Sequence, residues 1–135
     1  MRAVFDTNVL VAAFAANGLC AKILRRANKR EFTLIVCPII LEELKRTLEK
    51  KLGATGEEIE SAIVLLNEIS TLAGKTPPDL KLPRLVRDPD DDLILACVVA
   101  AEADVLVTGD KDLLAIGEHG RTKILGPRSF ELVFA

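Results

Sequence analysis

The sequence has no Trp and no Tyr, and its aromatic residues are five Phe. Any base stacking would have to come from Phe or Arg, which argues against single-strand binding on an aromatic platform. There is one histidine, His119, beside Gly120 in a segment that reads as a surface turn. A paired-histidine mechanism of RNA cleavage is thereby disfavoured, as are zinc sites built on several histidines. No Walker-type loop and no G-x-G-x-x-G motif occurs. The longest uncharged apolar runs, at residues 9–16 and 93–101, fall far short of the roughly 18 residues of a membrane span. An acid at position 6 sits where a signal peptide needs apolar residues, so the expected location is cytoplasmic. Cys20, Cys37 and Cys97 are an odd number, widely spaced and set among apolar neighbours. They read as reduced core residues rather than as a disulfide or zinc set.

What remains is an ordinary globular composition with an uneven distribution of charge. Half of the 135 residues are hydrophobic, enough for one domain over residues 1–135 to bury a proper core. The formal charge of −2 conceals a basic segment and an acidic one. Residues 1–51 hold ten basic and five acidic side chains, whereas residues 52–135 hold eight and fifteen. A metal-using enzyme acting on a polyanion needs basic and acidic regions side by side. The same pattern is also common by chance.

Along the chain, helical and extended patterns alternate without internal repeats. Residues 2–5 read as a buried strand ending at Asp6, and residues 9–16 as a helix broken by Asn17-Gly18. Residues 21–30 form an amphipathic pattern with Ile23, Leu24 and Ala27 inside and Lys22, Arg25, Arg26, Lys29 and Arg30 outside. Residues 33–37 are β-branched and apolar. Pro38 suits the first turn of a helix running to about residue 51. Thr55-Gly-Glu-Glu opens a helix expected to continue to about residue 73. Residues 74–87 carry three prolines and read as a loop with one short edge strand. Asp88-Pro-Asp-Asp-Asp opens another helix, residues 105–107 and 123–125 read as short strands, and residues 127–134 as a closing helix. This alternation predicts an α/β domain with a mainly parallel central sheet.

Asp6 and Asp110 each follow a predicted buried strand, Asp110 through Thr108-Gly109. Open parallel sheets form their sites outside those strand ends. Gathering buried carboxylates is costly unless a cation offsets them, and oxygen ligands suit Mg2+ or Mn2+. The ordinary alternative is that both acids cap the helices that follow. At about 100° per residue, Glu43 borders the apolar face formed by Ile40, Leu41, Leu44 and Leu48, while Glu42 points away. In the Asp88–Asp92 run, Asp91 shares a side with Ile94 and Leu95. Asp92 stays a candidate further ligand, and acids in a first turn have an ordinary helix-dipole explanation as well.

Taken together, Val4-Phe5-Asp6-Thr7-Asn8, Leu41-Glu42-Glu43-Leu44, Asp88-Pro-Asp-Asp-Asp-Leu-Ile-Leu-Ala and Ala103-Asp-Val-Leu-Val-Thr-Gly-Asp-Lys-Asp-Leu-Leu resemble the PIN-domain family, the nuclease fold of VapC-type toxins. The likeness extends over nearly the whole chain and lies nearest the branch of PIN-family toxin components of toxin–antitoxin systems. It implies a three-layer fold with a mainly parallel central sheet flanked by helices. It further implies a quartet of catalytic, metal-binding acids at Asp6, Glu43, Asp91 and Asp110, with Asn8, Thr108 and Asp112 in supporting positions. The implied activity is cleavage of RNA by metal-activated water, leaving 5′-phosphate and 3′-hydroxyl ends. The implied partners are RNA, an antitoxin protein and a second copy of the chain. The acid run at 88–92 departs from the single acid of many such toxins.

Two rival classes fit less well. A receiver-type phosphotransfer domain needs a Lys after its last strand, where this chain has Gly126-Pro127-Arg128. An aspartyl-phosphate phosphatase wants Asp two residues after its nucleophile, where Asn8 stands. A non-catalytic RNA- or protein-binding module on the same fold would normally have lost one of the four acids. The basic face of residues 22–30 is the expected phosphate-backbone contact, with a plain solvated helix face as the alternative.

Overall fold

Ala3, Val4 and Phe5 are consecutive and all buried, so the strand that carries them is covered on both faces, as strands of parallel sheets are. The computed structural model describes residues 1–72 and 89–135, with the side chains of 89–91 outside the description. The elements run β1 (Arg2–Phe5), α1 (Thr7–Ala15), α2 (Leu19–Asn28), β2 (Thr33–Val36), α3 (Pro38–Leu52), α4 (Gly56–Ile69), β3 (Ser70–Leu72), α5 (Pro89–Ala100), β4 (Val105–Val107), α6 (Lys111–Ile116), β5 (Glu118–His119), β6 (Thr122–Leu125) and α7 (Pro127–Leu132). They build an α/β fold with a central sheet ordered β3-β2-β1-β4-β6-β5 and flanked by helices. All pairings are parallel except that of β5 with β6.

This order determines where a site forms. From β1 the chain winds outward through β2 to β3, then returns to the other side of β1 with β4. The β1–β4 boundary is therefore the switch point of the sheet, where the outgoing connections diverge and leave a crevice beyond the strand ends. The register pairs Phe5 with Val107, so the residues that follow, Asp6 and Thr108, emerge side by side. The Asp6 N–H donates to the Val107 carbonyl at 2.9 Å.

The helices follow their local chemistry. Pro38 occupies the first turn of α3, and Gly53 ends it in the left-handed region at φ 63°, a conformation that suits glycine. Thr55 and Glu58 form a reciprocal capping box at the start of α4. Below the sheet ends, Phe5, Phe32, Phe130 and Phe134 pack ring against ring, with centroids 5.1 Å apart for Phe32 and Phe130.

Three differences from the sequence reading stand out. Cys37 and Cys97 are joined as a disulfide rather than held as separate thiols, with Cα atoms 6.3 Å apart, and Cys20 is free. Cys37 ends β2 at the cap of α3 and Cys97 faces inward from α5, so the fold brings together residues whose sequence positions gave no sign of it. Second, the helix expected to reach residue 73 stops at Ile69, and Ser70–Leu72 pairs with β2 as an edge strand. The Ser70 hydroxyl turns back onto the Leu66 carbonyl, a local bond that competes with continuation of the helix. Third, the segment before β6 that read as a surface turn at His119 carries a short strand, β5. The loop and edge strand expected over 74–87 lie outside the described residues.

Candidate active site

Asp6 is 6 % exposed, in the crevice at the β1–β4 boundary. It is the N-cap of α1, and its Oδ1 accepts from the Thr7 N–H at 2.8 Å. Its Oδ2 accepts from the Thr108 hydroxyl at 2.7 Å. Thr108 is wholly buried, and its Oγ1 in turn accepts from the Asp110 N–H at 3.0 Å. On the other side, the Thr7 hydroxyl donates to Glu43 Oε2 at 2.7 Å. Two threonines thus tie the carboxylates of Asp6 and Glu43, and the backbone of Asp110, into one hydrogen-bonded chain across the strand ends. Asp110 also caps α6, accepting from the Asp112 N–H at 2.9 Å. The capping explanation and the site explanation therefore apply to the same two acids.

Electrostatics distinguishes Asp6 from an ordinary cap. Burial pushes its carboxyl above the usual carboxylate range, and the nearby charges of Glu43 and Asp110 add to the shift. The bonds from Thr108 and Thr7 oppose that shift without overcoming it. Asp6, Glu43 and Asp110 form no ion pair among the described residues.

That cleft, of about 380 Å³, is lined by Asp6, Thr7, Asn8, Glu43 and Asp110, by Ile94 of α5, and by Arg46, Thr47, Lys50 and Lys51 of α3. The expected residues Asp6, Glu43, Asp110 and Asn8 meet there, with Thr108 directly beneath. Asp112 contributes its backbone N–H to Asp110. The side chain of Asp91 lies outside the described residues. Asp92 is half-buried and is not among the lining residues. None of Lys22, Arg25, Arg26, Lys29 and Arg30 lines the cleft. Lys22 and Arg26 instead bind Glu131 of α7, Arg26 also pairs with Glu31, and Arg25 donates to Asn17. Sequence reasoning missed Thr7 as the residue that holds Glu43, although it adjoins Asp6. It also missed the cations of α3, whose signal was their helical spacing from Glu43.

The donor set is oxygen throughout, which is the chemistry of a hard divalent cation. Among the described residues, no three His, Cys, Asp or Glu side chains gather into a ready metal-binding group. The match to Mg2+ or Mn2+ is one of donor type, in three carboxylates that form no ion pair among the described residues, with the side chain of the fourth expected acid outside the described part.

A family model described as the PIN domain matches residues 2–112, a span that runs from β1 through Asp110. The chain belongs to the PIN-domain family. Among solved structures it is similar to the crystal structure of VapBC2 from Rickettsia felis bound to a DNA fragment from their promoter. That likeness has a TM-score of 0.67 at 19 % identity and covers 93 % of this chain and 98 % of the other. At that identity it speaks for the fold. No curated protein sequence matches the chain significantly.

Proposed function

We propose that this chain is a divalent-metal-dependent endoribonuclease acting as the toxin of a toxin–antitoxin pair. The observation that carries the reading is the hydrogen-bonded set Glu43–Thr7–Asp6–Thr108–Asp110 at the switch point of the sheet. PIN domains are generally nucleases, and this set joins three of the four acids proposed for such chemistry.

In this reading Asp6, Glu43, Asp91 and Asp110 hold Mg2+ or Mn2+, with Asp92 a further candidate and Asn8 and Asp112 in support. When bound, a divalent cation supplies a water acidic enough to attack near neutral pH and offsets the charge of the scissile phosphate. The chain's own residues supply orientation. Thr108 fixes the rotamer of Asp6 from below, and Thr7 fixes Glu43 from the side. The products expected are 5′-phosphate and 3′-hydroxyl ends. The antitoxin is proposed from the VapBC2 likeness. A homodimer, a cytoplasmic location and a single domain over the whole chain complete the proposal.

The alternative, a non-catalytic RNA- or protein-binding module, draws on the lack of a closed metal group among the described residues. A panel of structured and unstructured RNAs, incubated with Mg2+ or Mn2+ and with EDTA, separates the two. Metal-dependent cleavage with 5′-phosphate ends is expected. Undiminished cleavage in EDTA sinks the metal mechanism, and no cleavage of any RNA in either metal favours the binding module.

A further inference from the structure

Glu43, Arg46, Thr47, Lys50 and Lys51 all line the same cleft, and their spacing is that of one helical stripe. At about 100° per residue they fall within roughly 140° of the circumference of α3, and they extend about 12 Å along its axis. The stripe changes sign along its length. Glu43 sits at the inner end, bound to Thr7 beside Asp6. Arg46, Lys50 and Lys51 continue outward, all exposed. None of these three cations forms an ion pair among the described residues. The basic face of α2 differs in that Lys22 and Arg26 are taken up by Glu131.

We propose that Arg46, Lys50 and Lys51 form a phosphate-binding rail that leads the backbone of a single-stranded RNA to the acids of the cleft, an inference that rests on the nuclease reading. An acidic floor alone repels a polyanion. Cations a few residues along the same wall attract the phosphates flanking the one that reaches the acids, without neutralising the acids themselves. Lys50 and Lys51 also sit in the last turn of α3, where any helix favours cations. That explanation does not extend to Arg46 in the middle of the helix, or to the alignment of all three cations on the wall that carries Glu43.

The test is binding of a 5′-fluorescein-labelled single-stranded RNA by anisotropy, across a salt series with Mg2+ present, in an Asp6→Asn background that blocks turnover. In that background the substitution Arg46→Gln/Lys50→Gln/Lys51→Gln is compared with Arg25→Gln/Lys29→Gln/Arg30→Gln. Loss of three single-strand phosphate contacts makes the slope of log Kd against log salt shallower by about two units. The α3 variant is expected to show this change with its circular dichroism intact, and the α2 variant is expected to keep the parental slope. An unchanged slope in the α3 variant overturns the rail, whether or not its thermal stability falls as a pure helix-end role predicts. Absence of measurable binding at low salt in the parental background overturns it as well. Cleavage by the wild type reads the nuclease proposal separately. No cleavage with an intact, α3-dependent salt slope overturns the catalysis and leaves the rail standing.

Discussion

Thr7 and Thr108 perform the same kind of task in different surroundings, so their replacement should read out differently. The hydroxyl of Thr108 is buried between Asp6 Oδ2 and the Asp110 N–H. Thr108→Val leaves a buried carboxylate oxygen and a backbone N–H without their partner, which costs about 1–3 kcal/mol. Thr108→Ser restores the hydroxyl and should recover most of that loss. Urea unfolding of the three proteins checks it, and a valine variant as stable as wild type would show the bond to be dispensable. Thr7 bonds a carboxylate that is half-exposed, so water replaces the lost partner. Thr7→Val should therefore change stability by under about 1 kcal/mol yet lower RNA cleavage, with Thr7→Ser rescuing the activity. Equal cleavage by Thr7→Val and wild type would mean that Glu43 needs no positioning by this hydroxyl.

At the scale of elements, α7 is pinned to α2 by Glu131, which accepts from Arg26 and pairs with Lys22. The bonds from Arg26 hold the Glu131 carboxyl down at about 2, below the ordinary glutamate value of 4.5. A depressed carboxyl stabilises the fold above its unfolded value and loses that contribution as pH falls. The clamp should therefore weaken between about 4.5 and about 2. Glu131→Gln should flatten the acid arm of the stability curve in that window, as followed by chemical denaturation. Superimposable acid arms would assign the acid sensitivity elsewhere. The α3–α5 tie makes a separate prediction. With Cys37 and Cys97 joined and Cys20 free, thiol titration of unreduced, denatured protein should count one thiol per chain; three would mean that the bridge does not form. Crosslinking across 60 residues corresponds, in the chain-entropy picture, to about 4 kcal/mol, so reduction should lower the unfolding temperature. These elements also mark how far the sequence could be read. The strands were legible because Ala3-Val4-Phe5 and Val105-Leu106-Val107 are unbroken apolar runs, the first meeting Asp6 directly and the second reaching Asp110 through Thr108-Gly109; α2 was legible from its amphipathic period, α3 from Pro38 and α4 from its capping box. The strand at Ser70–Leu72 was not, because its existence depends on pairing with β2 rather than on its own residues. The cysteine bridge and the Glu131 clamp escaped for the same reason. Of the site, Asp6, Glu43 and Asp110 were legible from strand ends and helix phase. The α3 cations were passed over because the more regular amphipathic pattern of α2 drew the expected phosphate contact to a face that Glu131 partly occupies.

For the molecule as a whole, the decisive feature is the cluster of carboxylates at the switch point of the sheet. Burial, reinforced by Glu43 and Asp110, raises the Asp6 carboxyl above the ordinary aspartate value of 3.8. A raised carboxyl contributes stability that is complete below the unfolded value and is lost as pH rises through the folded one. In EDTA, the wild-type protein should therefore lose stability with rising pH across the interval that begins at about 3.8. Asp6→Asn has no such group, and it caps a helix about as well as Asp. It should lack this component of the pH dependence and be more stable than wild type above the interval, by about 1 kcal/mol. Taking the difference between the two proteins removes the opposite contribution of Glu131, which both retain. Excess Mn2+ should invert the order, because ligand binding to the native state stabilises in proportion to affinity and the variant has lost a carboxylate donor. RNA cleavage should fall by orders of magnitude in the same variant. The measurement is urea unfolding of both proteins over a pH series, with EDTA and with Mn2+, beside the cleavage assay. A cap-only role for Asp6 predicts parallel pH curves, equal or absent stabilisation by Mn2+, and retained activity. That outcome would take Asp6 out of the site and leave the cleft without the residue on which its two threonines converge.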